Sequence, residues 1–246
     1  MGEVVLAFPA DAAAGPPPDA YRDLIERLAT LKSPCFWPAG PGQPPLGKAE
    51  RIGLIRLLEA IPAGCGEEKM LAVIEAMRHA PAGDVVEIGS GWGRSAALLV
   101  WLARRYDIGR VLCVDAWADD EALGVFEINL APFAGGAANY LRARPDQAAK
   151  LYAAGLRVRT EAFGETAYQG QIAFLHVGAS GAGPEAARDC ALWTSAVVPG
   201  GWICFDVCEA AGDARRRVAD AFVVRNETRV STHFEAGGSL FIQLKR

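Results

Sequence analysis

The sequence predicts a doubly wound α/β domain. It has a mostly parallel seven-stranded sheet, an antiparallel hairpin at the C-terminal edge and a helical extension at the N-terminus. Three observations carry this. From Asp84 onward, short apolar runs alternate with segments of helical spacing. The runs "DVVEIG", "RVLCVDAW" and "QIAFLHVG" have the apolar density of strands covered on both faces. The chain closes with "TRVSTHFEAGGSLFIQLKR", two strand-like runs around a glycine pair.

Residues 1–18 end in "AAAGPPP" and read as an arm; residues 20–33 place Tyr21, Leu24, Ile25 and Leu28 at helical spacing. The stretch 34–47, "PCFWPAGPGQPPLG", is too rich in proline and glycine for regular structure. It reads as a linker whose Phe36 and Trp37 pin it to the body, or as a lid. Residues 49–80 read as one or two helices broken at "PAGCG". The second, "EEKMLAVIEAMRH", has acids first and Arg-His last, as a helix dipole favours. These segments form an N-terminal extension or lid over 1–80, and the main domain spans 81–246.

Within the main domain, "DVVEIG" is the first strand and "RSAALLVWLARRY" the helix after it. "RVLCVDAW" is the second strand. The acidic run Asp119, Asp120, Glu121 reads as a solvated helix start, and "PDQAAKLYAAG" as a helix. "LRVRTEA" (156–162) is the expected third strand and "QIAFLHVG" the fourth. A helix with Pro184 in its first turn, the strand "GGWICFDV" and the helix "DARRRVADAF" lead to the closing hairpin.

Composition narrows the function. The net charge of -4 offers no basic stripe for nucleic acid. The longest apolar run, "SAALLVWLA", is far short of the ~20 residues of a membrane span, and the N-terminus lacks a secretory pattern. The six cysteines form no C-x-x-C pair, so they read as reduced thiols of a cytoplasmic protein.

The strongest motif is "VVEIGSGWGRSA" (85–96), an E-x-G-x-G-x-G-x-S loop between strand and helix. Glycines let such a backbone turn tightly and approach a ligand, and the following helix presents free N–H groups. The dinucleotide spacing is G-x-G-x-x-G, which this loop lacks, so a nicotinamide oxidoreductase is the weaker reading. Asp115 follows Gly93 by 22 residues, at the end of the next strand. Loop and acid together resemble class I S-adenosylmethionine-dependent methyltransferases, with their Rossmann-like fold. The resemblance implies that Gly89, Ser90, Gly91 and Gly93 face the cofactor. It places Glu87 near the methionine ammonium, Ser95 at the carboxylate and Asp115, with Ala116 beside it, at the ribose. Trp117 either flanks the adenosine or plugs the next helix, and Glu161 and Phe163 stand where adenine is often held.

Residues 84–246 are also similar to the macrocin O-methyltransferase-like group, through "LCVDAW", "FLHVG", "VVPGGWICFD" and "DARRRVADAF". That group resembles metal-dependent enzymes whose carboxylates lie in an H-I-D-G segment and in paired acids after a later strand. Here those positions hold Gly178, Asp206 and Val207. One carboxylate of three makes a poor magnesium site, so no catalytic metal is expected. The candidate bases are Asp206, which also reads as a cap, and His176, which also reads as a core residue. His233 reads as surface, and Cys208 has no activating cation nearby. The resemblance implies methyl transfer from S-adenosylmethionine to a small-molecule acceptor, a hydroxyl, leaving S-adenosylhomocysteine. The alternative is a non-catalytic protein of the same fold that binds the cofactor or a partner. No nucleic acid or membrane partner is expected, and the proline-rich arm suggests a homodimer.

Overall fold

The computed structural model describes residues 19–31, 38, 41–62, 65–178, 190–207 and 214–246. The arm 1–18, Phe36, Trp37, Pro184, Cys208 and the loop following Gly178 lie outside the described residues. The chain divides into two compact units, 1–32 and 33–246. The first contains helix α1 (Asp19–Thr30), with Asp19 in its first turn and Arg27 in its last.

The second unit begins with α2 (Lys48–Leu58) and α3 (Glu67–Met77). The sheet follows, with β1 (Asp84–Ile88), α4 (Arg94–Arg105), β2 (Val111–Asp115), α5 (Asp120–Ala134) and β3 (Ala138–Arg142). Next come α6 (Pro145–Ala153), the short strands β4 (Arg157–Thr160) and β5 (Gly164–Ala167), and β6 (Ile172–Val177). The chain ends with β7 (Val197–Asp206), α7 (Ala214–Arg225), β8 (Val230–Ala236) and β9 (Ser239–Leu244); residues 190–194 are also helical. The order β3-β2-β1-β6-β7-β9-β8 makes a seven-stranded sheet, parallel from β3 to β7 and antiparallel at β9 and β8. This is the Rossmann-like sheet with the C-terminal hairpin that the sequence predicts.

One member differs. The third strand of the sheet is β3, whereas 156–162 contributes β4, which pairs only with β5 in a separate antiparallel ribbon. The alternation Arg157-Val158-Arg159 explains this, because it gives one apolar face and suits a half-exposed ribbon. In β3 the wholly buried Asn139 disguises the strand. Its Nδ2 donates to Val158 O (3.2 Å) and Gly164 O (2.9 Å), and its Oδ1 accepts from Thr160 Oγ1 (2.8 Å), so it ties the ribbon to the sheet. The acidic run opens α5, where Asp119 Oδ1 caps the helix by accepting from Ala122 N at 2.8 Å.

Strand alternation divides the core in two. Val86, Ile88, Leu112, Leu175, Ile203, Phe205 and Ile242 face one layer, packed with Tyr152 of α6 and Trp193. The alternate row, including Glu87, His176 and Cys204, faces the side of α3. Chain order reverses between β1 and β6, and at such a switch point the strand ends leave a crevice. Among the described residues, no helix is long and apolar enough to cross a membrane.

The hairpin turn between β8 and β9 fixes α3. Gly237 has φ +54°, and a Cβ there would stand 2.4 Å from the Lys69 backbone nitrogen and 2.7 Å from its Cβ. The turn therefore sits directly on the first turn of α3. Gly237→Ala adds both a left-handed alanine and a clash, and is expected to cost about 1–3 kcal/mol. Urea unfolding of the two proteins measures it.

Candidate active site

Register places the polar residues. Across the parallel strands, Glu87 of β1 pairs with His176 of β6, and His176 with Cys204 of β7. Asp206 lies two residues beyond Cys204 on the same face, paired with Ser239 of β9. The sheet thus delivers an acid, an imidazole, a thiol and a second acid in one line, ending at the crevice.

From the opposite layer, α3 lowers Lys69 onto this line. Lys69 Nζ donates to Asp206 Oδ1 at 2.5 Å and lies 2.9 Å from His176 Nε2. His176 Nε2 is 3.2 Å from Asp206 Oδ1, and its Nδ1 is 2.8 Å from Glu87 Oε1. Ser239 Oγ donates to Asp206 Oδ1 at 2.9 Å. The lysine side chain is 4% exposed and the Asp206 side chain 27%.

The charges follow from this crowding. Burial works against an Asp206 carboxylate, but His176 and Lys69 override it and hold its pKa well below the usual carboxylate range. Burial also works against the Lys69 ammonium, yet Cys204, Asp206 and Cys65 around it raise its pKa above the ordinary lysine value. Burial and Lys69 oppose a charge on His176, and Asp206 with Glu87 outweighs them, so its pKa is raised. Burial raises Cys65 to about 11.

Around this cluster lies a cavity of about 410 Å³. Gly89, Ser90, Gly91 and Ser95 line one wall, and Lys69, His176 and Asp206 the other. Pro62, Cys65 and Trp92 complete it. Arg94, the first residue of α4, holds the backbone beside Pro62 and at Cys65 in place. Its guanidinium donates to Ile61 O (2.5 Å), Cys65 O (3.1 Å) and Glu59 O (3.4 Å).

The structure brings His176 and Asp206 together directly, and puts Gly89, Ser90, Gly91 and Ser95 on the cavity wall. Gly93 stands behind them as the N-cap of α4, with φ +95°. Glu87 is wholly buried, with one carboxylate oxygen committed to His176. Asp115 braces the loop: Oδ2 accepts from Gly91 N at 2.9 Å, and Oδ1 from Trp117 N at 3.0 Å. Trp117 is a buried plug. Its ring packs on Phe126 (4.7 Å between centroids) and Tyr140 (5.5 Å), and its Nε1–H donates to Gly91 O at 2.8 Å. Ala116, Glu161 and His233 are exposed, and Phe163 packs edge-on to Tyr140.

Sequence reasoning passes over Lys69, Arg94, Cys65 and Ser239. Lys69 carries a signal: it shares a helical stripe with the buried Val73 and Ala76, and a lysine there needs a buried partner. His176, Cys204 and Asp206 each offer a ligand atom within 4.8 Å of the others, and the Lys69 ammonium stands beside two of the three.

Residues 86–208, half of the chain, match a family model described as a methyltransferase domain. No curated protein matches the sequence. Among solved structures, the chain is similar to apo CalS11, a TDP-rhamnose 3'-O-methyltransferase of calicheamicin biosynthesis. That match has TM-score 0.53 and 11% identity, over 92% of this chain and 93% of that one. It is also similar to the O-methyltransferase NovP, with TM-score 0.50 and 14% identity over 79% and 80% of the two chains. At these identities the likeness is one of fold.

Asp206→Asn leaves the Lys69 ammonium buried without its counter-charge and is expected to cost roughly 3 kcal/mol at pH 5. Because the folded Asp206 pKa is depressed, its contribution is present above the unfolded value near ~3.9 and is lost as pH falls through the folded one. The gap between wild type and variant therefore narrows below about pH 4. Denaturant melts across this range measure it.

Proposed function

The chain belongs to this methyltransferase family, and we propose that it transfers a methyl group from S-adenosylmethionine to a hydroxyl of a small-molecule acceptor. The observation that carries this reading is the shared cavity, with the glycine loop on one wall and a carboxylate and imidazole on the other. The cofactor fits the loop side. A Cβ at Gly91 would project into open space, and among the described residues Glu87 Oε2 is buried without a hydrogen-bond partner. Gly89, Ser90, Gly91 and Ser95 would hold it, with Asp115 at the ribose. When bound, the cofactor supplies a sulfonium-activated methyl group, and transfer leaves the carbon–sulfur electron pair on S-adenosylhomocysteine.

An acceptor hydroxyl must lose its proton, and the opposite wall supplies the sink. Among the described residues, Lys69, His176 and Ser239 all meet the Asp206 carboxylate at Oδ1, and Oδ2 is the atom placed to accept from the acceptor. Asp206 alone is a weak base. It takes the proton at Oδ2 only as the methyl group transfers, and His176 at 3.2 Å, held in orientation by Glu87, steadies it through Oδ1. The O-methyltransferases that share the fold support oxygen as the acceptor atom. Pro62 and Cys65 cover the acceptor side.

Calorimetry with S-adenosylhomocysteine tests the donor side. Binding is expected between about 1 μM and 1 mM, and none at millimolar ligand would sink the reading. Asp206→Ala is expected to retain that binding and to lower kcat/KM about 10²–10⁴-fold on any hydroxyl acceptor found by library screening. Binding without turnover across the library would instead favour a cofactor-binding scaffold.

A further inference from the structure

We propose that Lys69 is the resident cation of this site: its ammonium occupies a latent divalent-metal position formed by His176, Cys204 and Asp206, so the chain works without a metal. Three observations carry the inference. The first is the ligand set. An imidazole nitrogen, a thiol sulfur and a carboxylate oxygen lie within 4.8 Å of one another, and that mixture of donors suits zinc or cobalt. The second is the occupant. Lys69 Nζ stands 2.5 Å from Asp206 Oδ1 and 2.9 Å from His176 Nε2, against two of those same ligand atoms. A second cation there would meet the ammonium at contact distance. The third is that the lysine is anchored. It sits on the buried stripe of α3, its stem is enclosed, and the Gly237 turn rests on its backbone.

A hard cation such as magnesium finds no better place. It needs several oxygens, and among the described residues Asp206 is the one carboxylate in the cavity lining. Gly178, at the end of β6, cannot supply another. A Cβ there would stand 2.9 Å from Ile88 O and 3.0 Å from Gly89 O. The backbone has closed over the position where a second carboxylate would be needed.

Lys69 therefore does by hydrogen bonding what a metal does by coordination. It fixes Asp206 against His176 and places one positive charge on the cavity wall, where an acceptor oxygen gains negative charge as its proton leaves. Lys69 is a positioning residue for Asp206. Only this catalytic consequence rests on the methyl-transfer reading; exclusion of the metal rests on the geometry alone.

Cobalt(II) chloride titrated into the full chain and followed by absorption is the test. Wild type is expected to show no thiolate-to-cobalt charge-transfer band. Lys69→Ala is expected to bind cobalt at least about tenfold more tightly and to show the band. The double variant Lys69→Ala/Cys204→Ser is expected to lose it. If Lys69→Ala does not fold, Lys69→Met, which keeps the stem and removes the charge, carries the titration. Cobalt bound equally well by wild type, stoichiometric metal in purified wild type, or no cobalt binding by a folded Lys69 variant would each overturn the proposal. Calorimetry with S-adenosylhomocysteine on the same samples separates the two ideas. Its failure refutes the donor site and leaves the cobalt result standing.

Discussion

A lysine ammonium enclosed against an aspartate carboxylate governs the organisation of this molecule. Withdrawing either charge from water costs several kcal/mol, and the pair persists only where other groups complete it. Here Asp206 Oδ1 collects Lys69, His176 and Ser239, and Glu87 steadies the far side of the imidazole. Those groups come from α3, β1, β6, β7 and β9. The pair thus requires the sheet register, the hairpin and the covering helix to be correct together, so the fold and the site share one set of constraints.

The cavity shows how the fold separates rigid from adjustable parts. The glycine loop is braced from below, by Asp115 on the Gly91 N–H and by the Trp117 indole on the Gly91 carbonyl. Its backbone geometry is set before any ligand arrives, which is how a fixed array of N–H groups gains affinity without an ordering cost. The opposite wall is equally fixed, because His176 and Asp206 stand on adjacent strands and Lys69 reaches them from α3.

Much of this architecture is legible in the sequence, and the gaps have physical reasons. The glycine loop, the strands around it and the closing hairpin are local patterns, with special residues at fixed offsets. Asp206 and His176 are legible because each closes or nearly closes an apolar strand at the crevice. β3 is hidden because Asn139 interrupts its apolar run, and its hydrogen bonds become visible only once β4 and β5 are placed. Lys69 is hidden differently. Its partners lie 107 and 137 residues away, and no local pattern joins them. Trp117 has two readings in the sequence, and only the packing against Phe126 and Tyr140 chooses the plug.

The Arg94 guanidinium grips backbone oxygens of Glu59, Ile61 and Cys65, not their side chains. Peptide carbonyls are the same in every sequence, so this edge of the cavity keeps its mooring at Glu59, Ile61 and Cys65 whatever side chains it carries. The face it turns to the cavity is free to be rewritten by substitution while the helix beneath the glycine loop is untouched. The cavity wall at Pro62 and Cys65 can thereby change its chemistry without a change in the glycine loop that faces it.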